Sequence, residues 1–193
     1  MQNTARIGCA GLLLVSLLAL DAAAQTPHST ASIAPEDGQH AFDWEIGTWQ
    51  TDVRRLAAPL TGSSEWVEYT GTSVVREVLD GRANLVELRV EGPTGRIEGA
   101  SLRLYNPRTR QWNLNYASAG SGTLTRPVHG GFRNGRGEFH GQEEIDGRVV
   151  LVRFVISGVT ENSARFEQAY SADGGRAWET NWIATDTRIG ASD

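Results

Sequence analysis

The chain contains no lysine; every basic residue is an arginine. No side-chain amine is therefore on hand for a Schiff base or a lysine nucleophile. Each cation is instead a planar guanidinium suited to carboxylate or phosphate. Cysteine is nearly absent as well. Cys9, the sole one, lies in the N-terminal leader, so the rest of the chain can form neither a disulfide nor a reactive thiolate. The stability of that remainder has to come from a packed core. Histidines show no His-x-His or His-Glu-x-x-His spacing, which leaves a metal site unsupported. No Gly-x-Ser-x-Gly occurs to hold a serine nucleophile on a strained turn. The net charge is −5, and the arginines are scattered among acids without forming a patch, which argues against nucleic acid as a partner.

What is present begins with a targeting signal over residues 1–24. Arg6 supplies the positive start, Ile7 to Leu20 the apolar run, and Ala22-Ala23-Ala24 the small residues before a cut at Gln25. The run is too short for a stable membrane anchor. Cys9 precedes the apolar run instead of ending it, which disfavours lipid attachment. The expected location is periplasmic or secreted. Residues 25–40, rich in Ser, Thr, Ala and Pro, read as a flexible leader. Residues 41–189 read as one domain with a real interior.

From Gly47 onward the chain is a succession of β-type segments and turns. Strands are expected over Thr48–Leu56, Glu65–Leu79 with Gly71 a bulge or bend, Ala83–Glu91, Arg96–Tyr105 and Gln111–Ala117. Others follow over Thr123–Phe132, weakened by Pro127, then Gly137–Ile145, Arg148–Ile156, Ala164–Ser171 and Ala177–Arg188. Asp80-Gly81, Asn134-Gly135 and Asp146-Gly147 are hairpin signals. In Gln111–Ala117, Trp112, Leu114 and Tyr116 alternate with Asn113 and Asn115, which predicts one dry and one wet face. A long antiparallel meander most easily loses its open edges by closing. The expected fold is all-β: an antiparallel up-and-down barrel of about eight to ten strands, with a short helical turn before it. A two-sheet sandwich is the alternative.

Several phrases together resemble a bacterial family of exported domains of unknown function, placed with the calycin, lipocalin-like barrels. They are Phe42-Asp43-Trp44-Glu45-Ile46-Gly47-Thr48-Trp49, Leu102-Arg103-Leu104-Tyr105-Asn106-Pro107 with Trp112, Val152-Arg153-Phe154, and the run from Phe166 to Trp182. The resemblance implies the fold and no particular reaction. It also implies that Gly47-x-Trp49 opens the first strand, with Trp49 plugging the closed end and Arg188 from the last strand lying across it.

Candidate site residues follow from strand alternation. Phe166, Gln168 and Tyr170 share a face, and Trp178 and Trp182 share another that the hairpin can turn to the same side; both are assigned to the lumen. Trp66, Trp112 and Tyr116 are added as wall aromatics. Arg153, inside an apolar strand, is expected either to pair with Glu167 and receive a ligand's polar head or to form a salt bridge outside. Ser171-Ala172-Asp173-Gly174-Gly175-Arg176-Ala177-Trp178 matches the Asp-box of sialidases, but a single copy reads as a hairpin in which Asp173 binds turn amides. The leading expectation is a barrel holding a small apolar or amphipathic molecule without a cofactor. The alternatives are an isomerase or hydrolase using Glu167 or His140, a haem barrel using His129 or His140, and a solid barrel with a structural or interaction role.

Overall fold

The computed structural model describes residues 38–190; the predicted signal peptide and most of the leader lie outside them. A 3-10 turn, Asp43–Glu45, leads into eleven strands. These are β1 Gly47–Leu56, β2 Trp66–Val78, β3 Ala83–Gly92, β4 Gly95–Asn106, β5 Gln111–Ser118, β6 Thr123–Leu124, β7 Val128–Arg133, β8 Arg136–Ile145, β9 Arg148–Ser157, β10 Ser163–Ser171 and β11 Glu179–Gly190. All pairings are antiparallel, and β1 pairs with β11. The ring runs β1-β2-β3-β4-β5-β7-β8-β9-β10-β11 and back to β1, a closed ten-strand barrel with β6 added to β5 outside it.

The turns behave as their residues dictate. Asn134 and Gly135 both take positive φ (52° and 75°), as do Asp146 and Gly147 (50° and 74°), the geometry of a two-residue hairpin loop. β2 passes through Gly71 with no register shift against either neighbour, so Gly71 marks no bulge. Pro127 breaks the predicted Thr123–Phe132 strand in two, leaving β6 and β7. The β7–β8 ladder consequently stops at His129 and His140, and β8 beyond Gly141 pairs with β9 alone among the described residues.

The core fills one end of the barrel. Phe42, carried in by the N-terminal turn, meets Trp112 and Phe132 edge-on at 4.9 Å and stacks on Phe139 at 6.0 Å. Trp44 stacks on Phe166 at 6.3 Å. Burying three indoles leaves no N–H unpaired. Trp49 donates to the Glu45 carbonyl at 2.7 Å, Trp44 to Ala41 at 3.0 Å and Trp112 to Gly38 at 2.8 Å. Gly47, buried and at φ 134°, makes the sharp entry into β1 that a side chain would strain.

Candidate functional site

The barrel interior has two halves with different chemistry. At the closed end, Arg188 sits 4.1 Å over the Trp49 ring, as the Gly-x-Trp phrase implies. Above it lies a band of buried polar groups. Glu45 and Arg103 form an ion pair with side chains 2% and 6% exposed, and the Arg103 guanidinium lies 4.5 Å over Phe42. Thr51 donates to Ser73 at 2.8 Å. Asp186, 4% exposed, is paired in register with Thr51. Burial raises its pKa to about 7; the nearby Glu45 charge adds to this, while Thr51 and Arg103 oppose it. Asp186 Oδ1 is buried with no hydrogen-bond partner among the described residues.

Toward the other end the inward side chains change in exposure. Phe42, Trp49, Phe139 and Ile156 are at most 1% exposed. Val67, Leu88, Ile97, Phe154 and Trp182 face the same interior yet are only partly buried. Val90, Val150 and Val152 on the same inner face are sealed. Water therefore reaches the inner wall at the five partly exposed positions, which together outline a hollow in the upper bore.

Polar groups rim this hollow. Tyr170 donates to Glu143 at 2.8 Å, Gln168 donates to Tyr170 at 3.1 Å and to Asn181 Oδ1 at 3.0 Å. Burial, reinforced by the Glu143 charge, holds the Tyr170 phenol well above its usual pKa. Tyr116 is raised by burial too, and the Arg55 charge opposes the rise at both phenols. Arg55 shares the inward face with Thr51 and Val53 and is paired in register with Trp182. The Tyr116 ring lies against Gly99, where any Cβ would collide with it.

The structure brings together Tyr116, Gln168, Tyr170 and Trp182 around the hollow, with Phe166 beneath them. Trp112 faces inward but belongs to the sealed floor. Four expected wall residues lie outside instead. Trp66 packs under Arg54 at 5.2 Å on the outer face of β1–β2. Arg153 stacks at 4.6 Å on Trp178, which also meets His140 edge-on. Glu167 bonds Arg165 at 3.0 Å and not Arg153. For Trp178 the cause is a bulge: register shifts between Gln168 and Ala169 because β11 carries one extra residue, Asn181. That residue flips the parity of everything before it, so Trp178 and Trp182 cannot share a face. His129 and His140 are exposed register partners on the outer wall, so neither can ligate a group held in the bore. Glu167 and His140 likewise cannot serve as acid or base inside it. Among the described residues no cluster of His, Cys, Asp and Glu could hold a metal ion.

The Asp-box segment is a turn, as its single copy indicated. Asp173 accepts from the amides of Arg176 and Ala177 at 3.0 Å, with Ser171 bonded to it at 2.8 Å, and these bonds hold its carboxyl below the usual range. Arg55, Glu143 and Asn181 were missed by sequence reasoning. Arg55 carried a signal, since it alternates with Thr51 and Val53; Asn181 could not be found without the bulge. A separate cleft of about 930 Å³ runs along the outer wall near the closed end, between Arg110, Arg133, Arg136 and His129. Its lining also takes in the floor residues Trp112 and Phe132 and shares no residue with the hollow.

No protein-family model matches the chain, and no curated protein matches it. Solved structures do. An S-type phycobiliprotein lyase, CPES, from Guillardia theta is 16% identical with a TM-score of 0.50, covering 77% of this chain and 90% of its own. EF1p2_mFAP2b bound to DFHBI is 10% identical with a TM-score of 0.44, covering 78% and 98%. The class defined by the ring and by the lyase likeness is the lipocalin-like β-barrel.

Proposed function

We propose that this protein is an exported binding barrel that holds one small amphipathic molecule in its upper bore. One observation carries the reading: five inward apolar side chains, Val67, Leu88, Ile97, Phe154 and Trp182, are partly exposed although Phe42, Trp49, Phe139 and Ile156 of the floor are sealed. Apolar walls with a few placed polar groups are what a small-molecule site requires. Val67, Leu88, Ile97, Phe154 and Trp182 take the apolar body of the ligand, and the rim of Tyr116, Gln168, Tyr170 and Asn181 fixes its polar end. The floor supplies rigidity. The phycobiliprotein lyase supports the fold alone, and the ligand reading rests on the bore. Export rests on the N-terminal Arg6, the Ile7–Leu20 run and the small residues before Gln25.

The test is a titration with N-phenyl-1-naphthylamine, an uncharged fluorophore that brightens in apolar surroundings. The expected result is saturable binding to one site, abolished by Leu88→Trp, which fills the hollow, with the melting temperature retained. Binding that survives Leu88→Trp in a folded protein would overturn the reading. Mass analysis of the N-terminus of periplasmic protein tests export, the expected first residue being Gln25.

A further inference from the structure

We infer that the molecule held in the upper bore carries an acidic head, a carboxylate, received at the rim by Arg55, Tyr116 and Asn181. This rests on the bore being a binding site and names the chemistry of its ligand.

The argument is one of hydrogen-bond direction. Glu143 as a carboxylate can only accept, so the Tyr170 hydroxyl bonded to it must donate. The Tyr170 oxygen is then an acceptor, and it takes one hydrogen of Gln168 Nε2. The second Nε2 hydrogen goes to Asn181 Oδ1. With its oxygen engaged, Asn181 must present its Nδ2 as a donor. That atom is buried and has no partner, on a residue only 3% exposed. A carboxylate at one end of the chain thus fixes the polarity of every link, and the far end is a donor with nothing to donate to. Leaving such a group unpaired costs about 1–3 kcal/mol.

Two further donors line the same rim: Arg55, exposed and paired in register with Trp182 next to Asn181, and the half-buried Tyr116 on β5. Arg55 makes no ion pair and the Tyr116 hydroxyl no hydrogen bond among the described residues, although the Arg55 charge reaches both rim phenols. Glu143, the carboxylate of the rim network, accepts from Tyr170 through one oxygen. The buried atom left unfilled at the rim is therefore a donor, Asn181 Nδ2, and an unpaired arginine is in register with the next residue. A ligand ammonium would leave that donor unfilled and would meet Arg55. A carboxylate offers two oxygens for a guanidinium and a neighbouring amide.

The test compares 11-(dansylamino)undecanoic acid with its methyl ester, which has the same chain and no charge, by fluorescence titration of the protein. The acid is expected to bind at least tenfold more tightly. Arg55→Met and Asn181→Asp should each bring the acid down toward the ester without weakening the ester. Asn181→Asp keeps the shape while removing the donor, and circular dichroism checks that it folds. Arg55→Met covers the case in which it does not. Equal binding of acid and ester would overturn the acidic head and leave the binding barrel standing. Failure of both probes to bind would overturn the two together. An acid preference that persists in Arg55→Met would place the head elsewhere and also overturn the inference.

Discussion

Arg188 and Trp49 join the two ends of the barrel through more than their stack. With its guanidinium 4.1 Å from the ring centroid, Arg188 donates from Nη1 to the Ile46 carbonyl, from Nη2 to Trp44 and from Nε to Glu161. One side chain thereby ties β11 to the N-terminal turn and to the β9–β10 loop. Arg188→Ala should lower stability by about 2–4 kcal/mol, since both the cation–π contact and charged hydrogen bonds vanish. Arg188→Lys keeps the charge without the fork and should recover less than half of the loss. Thermal unfolding checks both, and an unchanged melting temperature in the alanine variant would remove the stack from the account of stability.

The buried pair at the floor should respond asymmetrically to substitution. Glu45→Gln leaves the Arg103 charge buried without its counter-ion and should destabilise by roughly 3–5 kcal/mol. The double replacement of Glu45 and Arg103 by methionine should lie closer to the parent than either single replacement. Denaturant unfolding of the set gives the coupling directly.

Asp186 gives stability a pH dependence of definite sign. Its folded pKa of about 7 exceeds the ordinary 3.8, so the folded state holds the proton more tightly than the unfolded chain. This contribution is fully present below 3.8, declines as pH rises toward 7, and is absent above it. Asp186→Asn fixes the neutral form. It should therefore raise the melting temperature at pH 8 by several degrees more than at pH 4, on the order of a few kcal/mol of difference. Equal shifts at both pH values would mean that folding leaves the Asp186 pKa at its ordinary value.

Gly99 sets the position of a rim phenol. In Gly99→Ala the new methyl meets the Tyr116 ring, which must swing off the wall. A loss of about 1–2 kcal/mol in stability is expected. Acid-probe affinity should fall with it, and Gly99→Ala/Tyr116→Ala should restore the stability but not the affinity. A Gly99→Ala protein with parent affinity would separate Tyr116 from the site.

The ring itself was legible because hairpin signals such as Asn134-Gly135 act within a few residues, and because Trp49 and Arg188 mark the two strands that meet. Alternation also put Phe166, Gln168 and Tyr170 inside. It failed for Trp178 because alternation carries no memory of an inserted residue, and nothing at Asn181 announces a bulge. Arg153 was ambiguous for a related reason: an outer wall can be apolar where an aromatic such as Trp178 folds back over it. The Glu45–Arg103 pair joins residues 58 apart in sequence, a contact only the closed barrel creates.

The break at Pro127 has a mechanical consequence. Because the upper end of β8 pairs with β9 alone, the wall can part there without breaking a single rung of a ladder, while every other seam resists in proportion to its length. Any parting of the barrel wall is therefore easiest at that slack joint, the floor remaining locked throughout.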